Sequence, residues 1–295
     1  MIITNKIRVR LNVFFIAAVI ISIVVSSLYG MGFLDELQVV LAKDNYIFYW
    51  MILVGVLAEV VAGSMGMGYG VICTTTLLFL NIPPHIVSAS IHSAESFTTA
   101  AGSISHIKLK NVSKNLVKKL AVPAVIGAVI GAVCLTYLGE YYAKITKTII
   151  AFYTLYLGVQ IFLNAFKKKQ DKAMKKKTNL TRLGVIGGFI DSFAGGGWGP
   201  LVTGTLIKNA FTPRFAVGSS TVAKFILTIT AAVTFFFTLG IQHWNIILGL
   251  LIGGIFTAPF SAMLTAKLPV KKMFLVIGVL VIVMSCITIY KSVLS

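Results

Sequence analysis

Four ionisable side chains stand inside long apolar stretches of this chain: Glu59, Glu95, Asp191 and Lys224. An ionised group near the middle of a bilayer costs about 2.5 to 3.5 kcal/mol on the insertion scale, so four turned toward lipid would cost roughly 10 kcal/mol. They must face a cavity or one another. Ser88, His92, Glu95, Thr99, Gly102 and His106 recur at spacings of four and three, which places them on one face of a helix. Thr221 and Thr228 flank Lys224 at the positions matching His92 and Thr99. An acid and a base in such surroundings admit two chemistries. Either Glu95 and Lys224 are a structural ion pair, or Lys224 attracts an anion while Glu95 gates it or carries a proton. His92, one turn from Glu95, is the histidine placed to join in.

Two glycine-rich breaks carry the remaining chemistry, each led by a carboxylate. Glu59 precedes Gly66, Gly68, Tyr69 and Gly70 in EVVAGSMGMGYG, and Asp191 precedes Gly196, Gly197, Trp198 and Gly199 in DSFAGGGWGP. Glycine lets a ligand approach the backbone, and a helix that starts inside a membrane presents free N–H groups and the positive end of its dipole. Pro200 suits a first helical position and places the start of the second part-helix there. Such tips suit a small oxyanion. Glycine in membrane helices also serves close packing or bending, and Glu59 and Asp191 are equally suited to bracing tip amides or touching substrate. A nucleotide-binding reading lacks its strand and its acidic partner.

The elements that hold these residues come in two copies. A slide of 129 residues pairs Gly68-Tyr69-Gly70 with Gly197-Trp198-Gly199, Pro84 with Pro213, and Glu95 with Lys224. A duplication in a very apolar chain points to a transporter with its site where the copies meet. Hydrophobic residues make up 57% of the 295 and charged ones 12%, too little polar surface for a soluble globule. The net charge of +18 lies in short runs between apolar segments, which excludes a nucleic-acid face in favour of cytoplasmic loops. Cys73, Cys134 and Cys286 are dispersed packing residues, and no HExxH, CxxC or spaced Asp/His set supports a metal, a cofactor or an enzyme.

Apolar segments fall near 9 to 30, 46 to 63, 67 to 80, 86 to 106, 119 to 139, 145 to 166, 180 to 194, 198 to 208, 218 to 240, 244 to 266 and 271 to 291. Segments 67 to 80, 180 to 194 and 198 to 208 are too short for a core that needs about 20 helical residues. Each break is therefore read as the tip of a re-entrant helical hairpin; two short spans in its place would give the same sidedness. All but five of the 26 basic residues then share the side of the N-terminus, which makes that side cytoplasmic and the C-terminus external. The expected fold is an all-α integral membrane protein with an inverted repeat, each half a hairpin plus three transmembrane helices. Residues 1–45 are an extra transmembrane helix and external loop, 46–166 the first repeat, 167–179 a basic cytoplasmic linker and 180–295 the second repeat. The run from Leu11 to Leu28 reads as a retained helix, being long for a signal peptide and lacking an A-x-A-like site.

The chain resembles the sulfite exporter TauE/SafE family of membrane transporters. The resemblance rests on Gly63 to Gly70, HSAESFTT from His92, LAVPAVIGAVIGA from Leu120, DSFAGGGWGP from Asp191, TPRFAVGSS from Thr212 and GGIFTAPFSAML from Gly253. It covers residues 46 to 291 and implies a carrier of a small anion such as sulfite, thiosulfate or an organosulfonate across the bacterial plasma membrane. Partners implied are that anion, the lipid bilayer and protons as a coupling ion. An anion channel using the same tips is the alternative. The chain departs at Lys224 from the pattern the resemblance implies, in which relatives commonly carry an acidic residue, and this puts in doubt the carry-over of a coupling scheme needing two carboxylates.

Overall fold

A computed structural model describes residues 46–65, 67–166, 178–209, 211–240, 243–264 and 270–294. The first expected helix, Gly66 and residues 167–177 of the basic linker lie outside the described residues. The chain divides at Phe48, and the candidate site residues all belong to the unit Tyr49–Ser295.

All regular structure among the described residues is helical. In chain order the helices are α1 (Ile47–Met65), α2 (Tyr69–Phe79), α3 (Pro84–Lys108), α4 (Lys114–Tyr141) and α5 (Ala143–Asn164), then α6 (Leu180–Ala194), a π-turn (Gly199–Thr203) running into α7 (Gly204–Lys208), α8 (Pro213–Leu239), α9 (Trp244–Leu264) and α10 (Val270–Leu294). Local sequence sets the ends. Pro84 and Pro213 open α3 and α8, where a missing N–H costs nothing. Asn179 accepts the Arg182 amide and caps α6, which ends on Gly195 at φ 70. Gly68, at φ 110, precedes α2. Pro200 lies in the first turn of its segment as expected, but that turn is π-helical, not α-helical.

The described residues expose large apolar side chains and bury ionisable and hydroxyl groups within an otherwise apolar core. Val122, Ile126, Val276, Val279 and Phe237 are exposed, whereas Glu59, His92, Glu95, Asp191 and many Ser and Thr are buried. That inversion suits a hydrocarbon surround. Among the described residues, four helices are long and apolar enough to cross a membrane: α4, α5, α8 and most of α10. α3 has the length, with 25 residues, but its polar stripe lowers its hydropathy. α2 has 11 residues, about 16 Å of helix.

Glycine sets the close helix crossings. On α4, Gly127 and Gly131 lie against the α6 backbone at Val185 and Phe189; on α6, Gly184 and Gly188 lie against Leu120 and Ala124. The stretch LAVPAVIGAVIGA is thus the α4 face that receives α6. Across α1 and α9, Gly55 lies on Leu250 and Gly253 on Ile52 and Val56. Gly55 and Gly184 are themselves 129 residues apart, and each meets a leucine carbonyl. α5 and α10 join through Gly158, Gly278 and a Thr154–Ser285 hydroxyl pair at 2.9 Å.

Candidate functional site

Thr99 and Thr228, 129 residues apart, bring their hydroxyl oxygens to 3.2 Å, and one turn earlier Lys224 Nζ donates to Glu95 Oε1. Both contacts join positions the slide makes equivalent, so α3 and α8 meet along matching faces. The rest of the α3 stripe lines up with them. Ser88 Oγ donates to Ser192 O at 2.6 Å, His92 Nε2 lies 3.5 Å from Asp191 Oδ2, and Gly102 and Ser103 pack on Thr221. Thr221 Oγ1 itself returns to Val217 O at 2.9 Å. His106, last of the stripe, lies beside Asn111 at the end of α3.

The glycine tips meet each other. A Cβ built on Gly70 would stand 2.5 Å from Gly195 O and 2.8 Å from Gly196 Cα, and one on Gly196 would stand 2.6 Å from Gly70 C. Thr74 Oγ1 ties them by donating to Gly195 O at 3.0 Å. The close approach that glycine permits is here an approach of one backbone to the other. Gly68 packs near Val61, and Tyr69 donates to Leu250 O at 3.3 Å.

The second tip is internally braced. Asp191 Oδ1 accepts the Trp198 amide at 2.7 Å, satisfying a donor that would otherwise be free at the start of the π-turn. The buried Trp198 indole N–H bonds Ser220 O and Oγ at 3.1 and 2.9 Å, and Ser220 Oγ meets Thr203 Oγ1 at 2.6 Å. Gly197, at φ +151, lies so close to the Tyr153 hydroxyl that any Cβ would collide with it. Gly199 is buried at the start of the π-turn. The two tip carboxylates differ: Asp191 braces an amide, while Glu59, buried on α1, makes no hydrogen bond among the described residues and sits within electrostatic reach of Glu95 and Lys224.

Lys224 is the cation on which Glu95, Asp191 and Glu59 all act. Its side chain keeps 16% of its surface exposed, against 4% for Glu95. Thr74, Tyr153, Thr203 and Ser220 join the site without having stood out in the sequence. One signal existed: the same slide of 129 pairs Thr74 with Thr203. Nothing in the spacing marks Tyr153 or Ser220.

The family model of the sulfite exporter TauE/SafE matches residues 51–288. A probable membrane transporter protein, YtnM, of Bacillus subtilis (strain 168) is 36% identical over 243 residues, covering 80% of each chain. A probable membrane transporter protein of Haemophilus influenzae is 28% identical over 241 residues, 75% of this chain and 89% of its own length. YunE of Bacillus subtilis, also a probable membrane transporter protein, is 20% identical over 280 residues, 84% of this chain and 99% of its own length. No solved structure matches the chain.

Proposed function

The chain belongs to the sulfite exporter TauE/SafE family and is a membrane transporter, and from that premise we propose that it is a secondary carrier of a small sulfur-containing anion such as sulfite, thiosulfate or an organosulfonate, working by alternating access across the bacterial plasma membrane. One observation carries this reading: the cation Lys224 stays partly accessible at the place where equivalent residues of the two copies touch. Inverted repeats, each a re-entrant hairpin with three spanning helices, put a substrate site near the midplane.

The anion's route to Lys224 passes through Glu95. Two like charges 4 Å apart at an effective dielectric of 20 repel by about 4 kcal/mol, so an anion beside ionised Glu95 is strongly disfavoured. Three buried carboxylates surround one lysine, and with all of them ionised the centre repels anions. Entry therefore requires Glu95 to leave Lys224 and to take up a proton, which makes protons the coupling ion. Thr99, Thr228, Thr221 and His92 supply hydrogen-bonding groups alongside. The two tips, in backbone contact with each other at Gly70 and Gly196, close the path until they part.

Thermal stability of the purified protein in lipid, measured against sulfite, thiosulfate, sulfate, sulfoacetate and taurine, tests the reading. A carried anion at 100 times its Kd stabilises by about 2.7 kcal/mol and raises Tm accordingly. The same anion should enter proteoliposomes at carrier rates and more rapidly with a proton gradient. A panel with no stabilising member and no uptake overturns the proposal, and conductance far above carrier turnover replaces the carrier with a channel.

A further inference from the structure

His92 and Asp191 are buried completely and face each other across the meeting of the two copies, with Nε2 and Oδ2 3.5 Å apart. Their neighbours fix where one proton sits. Ser88 commits its hydroxyl proton to Ser192 O at 2.6 Å, so its Oγ has only lone pairs to offer the ring. His92 Nδ1 lies 2.8 Å from Ser88 O and 3.2 Å from that Oγ. Two acceptors on one ring nitrogen require it to carry hydrogen, and in a neutral imidazole Nε2 is then the bare nitrogen. On the other side Asp191 Oδ1 already holds the Trp198 amide, leaving Oδ2 toward the ring. Neither Nε2 nor Oδ2 has a hydrogen-bond partner among the described residues. A lone pair facing a carboxylate oxygen in a buried site is repulsive, and one proton between them turns the contact into a charge-assisted hydrogen bond.

We propose that His92 and Asp191 bind a single proton between Nε2 and Oδ2, and that this proton fastens α3 to the second glycine tip. Binding takes the pair from one negative charge to none; release leaves a neutral His92 protonated on Nδ1 and a bare carboxylate. The charged and polar groups around the pair are the Trp198 amide and Lys224 on α8, on which Asp191 acts together with Glu95 on α3 and Glu59 on α1. Tyr153 on α5 has its hydroxyl beside Gly197, and Tyr69 and Cys73 complete the ionisable groups from α2. Because Asp191 holds the tip amide with its other oxygen, losing the proton releases α3 from Oδ2 while the bare carboxylate tightens its hold on the Trp198 amide. The site stands on this geometry, whichever solute the protein carries.

Solid-state NMR of the full-length protein in lipid, with histidine labelled by heavy nitrogen, tests it. The sequence has four histidines, so His85→Gln, His106→Gln and His243→Gln leave His92 as the sole signal. Nδ1 should carry hydrogen at every pH, Nε2 should gain and lose one proton in a single step, and adding Asp191→Asn should abolish that step from the range where it is seen. A neutral form with bare Nδ1 overturns the proposal, and so does a step that survives Asp191→Asn. The first readout needs no change at Asp191, so it decides even if that variant does not fold. In a Trp50→Phe, Trp244→Phe background, Trp198 emission should shift within the same pH step. Emission that ignores the step refutes the link to the tip.

Discussion

Glu95 and Lys224 hold equivalent positions and opposite charges, so their removal can be scored as a cycle. Stranding one member of a buried pair costs about 3–5 kcal/mol, less here because Lys224 keeps 16% of its side chain exposed. Glu95→Gln and Lys224→Met should each lower Tm, and the double variant should regain most of the loss. Anion uptake in proteoliposomes should stay absent in the double variant, because the attracting charge is gone. Recovery of uptake would assign the pair to the fold alone. Glycine gives a second residue-scale test. Gly70→Ala and Gly196→Ala put a methyl 2.5 to 2.6 Å from the opposite backbone and should part the tips, lowering Tm by several degrees and abolishing uptake. Gly204, at φ −60 with its nearest neighbour 3.7 Å away, should accept Ala with a gain of about 0.5–1 kcal/mol and retained uptake. Wild-type behaviour of Gly70→Ala would remove the tip contact from the mechanism. The sequence marked these glycines without saying what they approach, because glycine permits close contact with ligand and backbone alike.

Element boundaries were legible to within a few residues wherever an apolar run ended at Pro, Gly or Asn. The segment 180 to 194 coincides with α6, and 67 to 80 shrinks to Tyr69–Phe79. The α3 stripe was legible because its polar residues keep helical spacing. The partner of each face was not, since Gly127 or Gly188 announces close packing but not the helix it packs on. The crossings now have partners and therefore predictions. Gly188→Val places its Cβ 2.9 Å from Ala124 Cα, and Gly55→Val places its own 3.1 Å from Leu250 Cα; each should cost about 1–3 kcal/mol or more in thermal unfolding. Ile126→Ala, on an exposed face of α4, should change stability little. Equal stability for all three would mean that these crossings do not hold the fold.

At the scale of the molecule, sidedness is the quantity to test. Lys114 opens α4 and Lys144 stands in the first turn of α5, separated by a helix of 28 residues, about 42 Å. In a background lacking Cys73, Cys134 and Cys286, a cysteine at 114 should react with impermeant reagent only from the cytoplasm, and one at 144 only from outside. Labelling of 114 on intact cells would reverse the orientation that the lysines imply. The slide of 129 residues is a feature of the sequence, and the contact at Thr99 and Thr228 falls between two positions that it pairs. What the register could not foretell is that the copies differ where they turn.

The π-turn at Gly199–Thr203 makes that difference mechanical. Such a turn winds in one residue more than an α-turn, so the second arm stores a residue of surplus length. The first arm is plain α-helix from Tyr69 onward and stores none. One side of the molecule is thus taut and the other has slack, and the slack lies immediately beside Trp198 and its carboxylate. Rewinding that turn to α would let the second tip advance or swivel without dragging α8 along, whereas the first tip can move only with its whole helix.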